Sequence, residues 1–256
     1  MKFALAHLNF SVNGENKNTE KLEKAIDLAA EENTDFLLTP ETALQGYHFH
    51  KILPIDKADI QPNANGLRIV KKAAECNMGL FLCTVEYDSV EKVNYNSCLI
   101  FDKQGQFIGR HRKVVSHATG SEAWANKGSD FTPISYQGVL FGVMICADAW
   151  YSENAVILKR KKADILIDLA AWPYGPCSGD PILAWKKCSQ ETNLPMIVCN
   201  QTGKNSFMNM HEAESAILFQ GKVLDKYHGH EAILICEWNI TTGKFKDDFF
   251  SVINFS

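Results

Sequence analysis

A chain of 256 residues with 46% hydrophobic and 22% charged residues is long and apolar enough to bury a large core, which excludes disorder as a description of the whole. Its formal charge of −4 gives no electrostatic case for nucleic acid or an anionic membrane, and the basic clusters His111–Lys113 and Lys159–Lys162 are short enough to be solvated faces. No apolar run approaches the ~18 residues that span a bilayer, and "MKFALAHLNF" lacks a secretory pattern, so a cytoplasmic protein is expected.

Strand-like and helix-like patterns alternate along the chain. "FALAHLNF" (3–10) opens as a strand, and residues 19–32 put Leu22, Ala25, Ile26 and Ala29 on one helical face. "FLLT" (36–39) is wholly apolar, as expected of an internal strand buried on both faces. A helix is predicted over 66–77, and strands over 80–87 and 97–101. The turn Lys103-Gln104-Gly105 then implies an antiparallel hairpin into "QFIGRHRK". The second half repeats the texture: a strand over 139–146, a helix over 152–162 with Ser152 as its N-cap, and a strand over 164–170. Asp180-Pro181 supplies a cap and a first-turn proline for a helix running to about Asn193. "MIVCN" (196–200), "SAILF" (215–219) and "AILICEW" (232–238) complete the strands; the tail after about 241 is free to pack on a neighbour. With no linker-like stretch, one α/β domain over 1–256 is expected. Eight cysteines without a secretion signal or any C-x-x-C pair read as reduced thiols rather than disulfides or a zinc site.

Open α/β sheets gather their chemistry beyond the carboxyl ends of strands. Three segments end there in an ionisable residue: "FLLTPE" in Glu41, "GRHRK" in Lys113 and "GVMIC" in Cys146. Taken singly, Glu41 reads as a helix-start acid, Lys113 as surface charge and Cys146 as a core thiol. Taken together they supply a base, a cation for an oxyanion and a nucleophile.

The motifs "LLTPETALQGY" (37–47), "RHRKVV" (110–115), "EAWANKG" (122–128) and "GVMICADAWYSE" (142–153) resemble, in this order and spacing, those of the nitrilase superfamily, the carbon–nitrogen hydrolases. The resemblance covers nearly the whole chain. It implies a four-layer α-β-β-α sandwich and homo-oligomers, commonly homodimers. It makes Glu41 the general base, Lys113 the catalytic lysine and Cys146 the nucleophile, with Glu122 as a supporting acid and the Ala147 N–H completing an oxyanion hole. No metal or organic cofactor is required.

Ala147-Asp148 after the cysteine matches the amidase-like branch, where true nitrilases usually carry Trp-Glu. Ala149 and Trp150 occupy places where branches that bind a substrate carboxylate often carry arginine; His117 or Lys127 would have to serve instead. Tyr47, Trp124, Trp150, Trp172 and Tyr174 are the candidate pocket aromatics, suited to a small neutral amide. Segments 48–65, 116–130 and 172–181 hold the candidate specificity loops. The alternatives are N-carbamoyl, ω-amide or nitrile hydrolysis, a papain-like enzyme with His111, His117, His211, His228 or His230 as base, a glutaminase serving a synthetase, and a non-catalytic binding protein.

Overall fold

The computed structural model describes residues 1–12, 14–53, 57–116, 120–175 and 178–255. Period-two burial builds its first sheet. In strand β1 (Lys2–His7), Phe3 and Leu5 face one apolar layer while Ala4 and Ala6 face another. The same alternation runs through β2 (Phe36–Leu38), β3 (Gly79–Asp88) and β12 (Ala232–Asn239). With β4 (Val93–Phe101) and β5 (Phe107–Arg112) these strands take the order β12-β1-β2-β3-β4-β5. The tail pairs with its own chain: β13 (Lys244–Phe245) and β14 (Ser251–Asn254) both join β12, correcting the expectation of an undetermined tail.

The second sheet is built from β6 (Ile134–Tyr136), β7 (Val139–Met144), β8 (Ile165–Ala170), β9 (Met196–Asn200), β10 (Ser215–Phe219) and β11 (Lys222–Tyr227), in the order β11-β10-β9-β8-β7-β6. Strands β7, β8 and β9 run parallel and read as continuous apolar runs because both of their faces are covered. The inward faces of the two sheets share one core, in which Phe3, Phe36, Phe81 and Phe141 pack edge-to-face or stacked. Helices α1 (Glu15–Glu31) and α2 (Ala64–Glu75) cover the outer face of the first sheet through Leu22, Ile26, Ile69 and Ala73. Helices α3 (Ser152–Arg160) and α4 (Pro181–Thr192) cover the second through Ala155, Leu158, Trp185 and Cys188. The result is the expected α-β-β-α sandwich.

Local chemistry accounts for the shifted boundaries. β1 stops at His7 because the next backbone groups are taken elsewhere: Asn9 N–H by Glu231 Oε1 at 2.7 Å, and Leu8 C=O by Thr202 N–H at 3.2 Å. α1 begins at Glu15, before the expected start, since Asn18 is buried and its amide ties Ser11 and Leu44 to the first turn. Ser152 does not cap α3 with its side chain; its hydroxyl is buried, and the helix follows the extended Tyr151. Asp180 does cap α4, accepting from Ile182 N–H at 3.0 Å, with Pro181 at the first position. The seven described cysteines are all free thiols, and no described helix is long and apolar enough to cross a membrane.

Candidate active site

Cys146 stands where β7 ends. Its φ of +52° is the left-handed region that a side chain rarely occupies, and a 3-10 turn, Cys146–Trp150, follows at once. The neighbouring backbone is held there: Ile145 N–H donates to Asp148 Oδ2 at 3.0 Å. The strain turns the thiol out of the strand and into a pocket of about 320 Å³.

Glu41 follows β2 and is wholly buried. Thr39 fixes the approach, donating its hydroxyl to Phe81 C=O and accepting from Cys83 N–H. The carboxylate then accepts from Lys113 Nζ at 2.6 Å and Asn96 Nδ2 at 2.7 Å through Oε1, and from Ala171 N–H at 3.2 Å through Oε2. Gln201 Nε2 donates to its backbone carbonyl at 2.8 Å. Because Ala171 and Gln201 lie beyond β8 and β9, the second sheet pins a base that the first sheet supplies.

Lys113 leaves β5 with its N–H on Asn96 C=O at 2.8 Å, and its own carbonyl accepts from Gly128 N–H at 2.7 Å. A Cβ at Gly128 would sit 2.2 Å from Arg112 C=O, so this approach requires glycine. "EAWANKG" therefore grips the lysine at both ends: Gly128 packs on its backbone, and Glu122 receives its ammonium in a short hydrogen bond.

Two carboxyl groups and one ammonium thus share a site that is essentially closed to solvent. Burial, with Glu122 adding to it, pushes Glu41 up to about 7 against the pull of Lys113. Burial works against the Lys113 cation, yet Glu41, Cys146 and Glu122 hold it well above the ordinary lysine range. Burial and then Glu41 push the Cys146 thiol up, with Lys113 opposing. The resting site is therefore a thiol beside a carboxyl poised near neutrality, an arrangement suited to proton transfer.

Tyr47, Trp150, Trp172 and Ala147 line the pocket with Lys113 and Cys146. Trp150 stacks on Trp172 with ring centroids 5.5 Å apart, and Trp172 meets Trp185 edge-on at 5.7 Å. Trp124 does not line it; its indole N–H donates to Ser121 C=O at 3.0 Å, and its ring packs on Phe49. Tyr174 is 68% exposed and also lies off the lining, and Lys127 is exposed away from it. His117 lies outside the described residues. Among the described residues no histidine lines the pocket: His111 is bound to Asp148, and His211 and His230 border a separate crevice.

Sequence reasoning missed Asn96, Ala171 and Gln201, whose types give no sign of burial. It also missed Asp168, for which a signal existed: a lone acid inside the apolar strand "ILIDLA" is unusual unless partnered.

The exits of β2, β5 and β7 thus bring Glu41, Lys113 and Cys146 to one site between the two sheets, and the turn before Trp124 adds Glu122. The family model described as carbon-nitrogen hydrolase matches residues 3–235, and the chain belongs to that family. It is 26% identical over 211 residues to a probable nitrilase of Schizosaccharomyces pombe, covering 81% of this chain and 76% of that protein. It is 23% identical over 231 residues to a glutamine-dependent NAD(+) synthetase of Acinetobacter baylyi, covering 84% of this chain but 41% of that longer protein. Among solved structures, the NitN amidase of Neterenkonia sp. AN1 superposes with a TM-score of 0.82 at 18% identity, covering 93% of each chain. Saccharomyces cerevisiae Nit3, of the nitrilase superfamily, superposes with a TM-score of 0.81 at 21% identity, covering 92% of this chain and 88% of that one. These structural likenesses establish the fold.

Proposed function

We propose that the protein hydrolyses a small, neutral amide through a thioester on Cys146. The observation that carries this reading is the buried Glu41–Lys113–Glu122 cluster, whose lysine lines the same pocket as Cys146. Glu41 takes the thiol proton as sulfur bonds to the substrate carbon. The oxygen that gains charge rests against the Lys113 ammonium and the Ala147 N–H. Glu41 returns its proton to the departing nitrogen, the C–N bond breaks, and ammonia or an amine leaves. Water then gives a proton to Glu41 and attacks the thioester; the acid departs and Cys146 recovers its proton.

Lining chemistry supports the substrate class. Lys113 is the one charged residue among the described lining residues, and two carboxyl groups already engage it. A substrate carboxylate therefore finds no spare cation among the described lining residues, while the Trp150–Trp172 face suits an apolar or planar acyl group.

The test is ammonia release from neutral primary amides, glutamine, N-carbamoyl amino acids and nitriles, with intact-protein mass to catch the acyl-enzyme. Neutral amides are expected to turn over best and to leave an acyl adduct on Cys146. Turnover confined to nitriles would overturn the amide reading. Absence of turnover and adduct across the whole panel would favour a non-catalytic binder.

A further inference from the structure

The catalytic groups come from opposite sheets: Glu41 and Lys113 from the ends of β2 and β5, Cys146 from the end of β7. The relative placement of two packed sheets is set by apolar contacts, which are not directional. Proton transfer and oxyanion stabilisation, by contrast, are sensitive to displacements of about 1 Å. Polar ties between the sheets supply the missing precision: Ala171 and Gln201 tie Glu41 to the second sheet, and one buried side chain has the contacts to tie the Lys113 exit to the Cys146 exit.

Asp148 is wholly buried in the turn that carries Cys146. Its Oδ1 accepts Val114 N–H at 3.0 Å and Val115 N–H at 2.8 Å, the two peptides directly after Lys113. Its Oδ2 accepts Ile145 N–H at 3.0 Å, from the residue directly before Cys146, and contacts His111 Nε2 at 2.7 Å. Its backbone carbonyl accepts Asn154 Nδ2 at 2.8 Å, which fixes the turn to α3. With three backbone N–H groups already on the two oxygens, the His111 contact is satisfied by Nε2 donating, and this selects the ring tautomer. His111 lies on β5, two residues before the lysine, and stacks on Phe131.

We propose that Asp148, oriented by His111, is a positioning residue that locks the exit of the lysine strand to the strained nucleophile turn. This rests on the reading of Cys146 and Lys113 as the reacting pair. One carboxylate binds the N–H groups of the residues that follow Lys113 and of the residue that precedes Cys146, so the distance between thiol and ammonium is set by hydrogen bonds rather than by sheet packing alone. His111 holds the fourth acceptor position, so that the carboxylate cannot rotate out of this geometry.

Three variants of the full chain test this: Asp148→Asn, His111→Leu and His111→Gln. Two rates are measured, steady-state turnover of the best amide and Cys146 alkylation by iodoacetamide followed by peptide mass, with melting temperature as a control on folding. Asp148→Asn keeps one acceptor oxygen and turns the other into a donor facing N–H groups. It should lower kcat about 100-fold with little change in KM, and slow alkylation in parallel. His111→Leu should lower kcat about 10-fold. His111→Gln, which keeps a donor for Oδ2, should recover most of that loss. The proposal is overturned if His111→Leu and His111→Gln have equal kcat and equal alkylation rates, or if folded Asp148→Asn matches wild type in both. If Asp148→Asn does not fold, the two His111 variants decide the question. If wild type turns over no amide, the functional reading fails, and the alkylation rates still test the tie.

Discussion

Trp185 donates its indole N–H to Asp168 Oδ2 at 2.6 Å, so a fully buried acid on β8 holds the ring that backs the pocket wall. Burial pushes Asp168 well above the ordinary carboxylate range, despite the hydrogen bond from Trp185. Such a group favours the native state while it stays protonated; the contribution is complete at about pH 4 and below and declines as pH rises toward the native value. Asp168→Asn keeps an acceptor for the indole and removes the titration. Its melting temperature should therefore fall less than that of wild type between pH 5 and 9. Asp168→Leu strands a buried N–H and should cost about 1–3 kcal/mol in denaturant unfolding. A wild-type pH dependence in the asparagine variant would refute the assignment.

In the proposed reaction Glu41 must be ionised to accept the thiol proton, and its environment pushes it up to about 7. Turnover is therefore expected to rise with pH through about 7. That limb belongs to the coupled Glu41–Lys113–Glu122 set rather than to a single carboxyl. Glu41→Gln should lower kcat by about 10²–10⁴ and abolish the limb. The stability effect has the opposite sense: with the native value above the ordinary 4.5, this group's contribution is lost as pH climbs from about 4.5 to about 7. Activity and stability should thus move in opposite directions across that window, read from pH-rate and pH-melting curves on the same samples.

Removing the cation leaves two buried carboxyl groups facing each other. Lys113→Met is expected to cost about 3–5 kcal/mol by denaturant unfolding and to abolish turnover. Adding Glu122→Gln should restore part of the stability and none of the activity. Strict additivity of the two stability changes would show that Lys113 and Glu122 are not coupled.

Gly179 supports the aromatic wall. Its φ is +67°, and a Cβ there would lie 2.7 Å from the Trp150 ring. Gly179→Ala should displace the indole and raise KM several-fold while leaving kcat within about twofold, because no proton-handling group is touched. An unchanged KM would mean that Trp150 does not form part of the binding surface.

Glu41 and Cys146 were legible as candidates because each follows the stop of an apolar run, whereas Lys113 follows the polar strand FIGRHR and was marked only by its motif. Direction was not legible. Trp124 neighbours Glu122 in sequence, yet its indole N–H turns it toward Ser121 and Phe49. Polar residues that serve the interior carry no mark in the sequence: Asn18, Asn96 and Gln201 are buried because each satisfies backbone or carboxylate groups from distant segments. The three residues of β6 are too few for alternation to register, and β11 alternates weakly because it lies on a sheet edge and is only partly buried. Asp148 was read as a branch marker in sequence, and only the fold shows that it faces the peptides after Lys113.

The split origin of the site has an evolutionary consequence. The first sheet furnishes the proposed base and the cation, while the second furnishes Cys146 and, after β7 and β8, Trp150, Ala171, Trp172 and Pro173 of the pocket. Substitutions at Trp150, Trp172 and Pro173 can therefore reshape what is accepted, whereas Asp148 and Ala171 in the same two loops are tied to the Lys113 segment and to Glu41. A lineage built this way is free to diversify its diet while keeping its chemistry fixed.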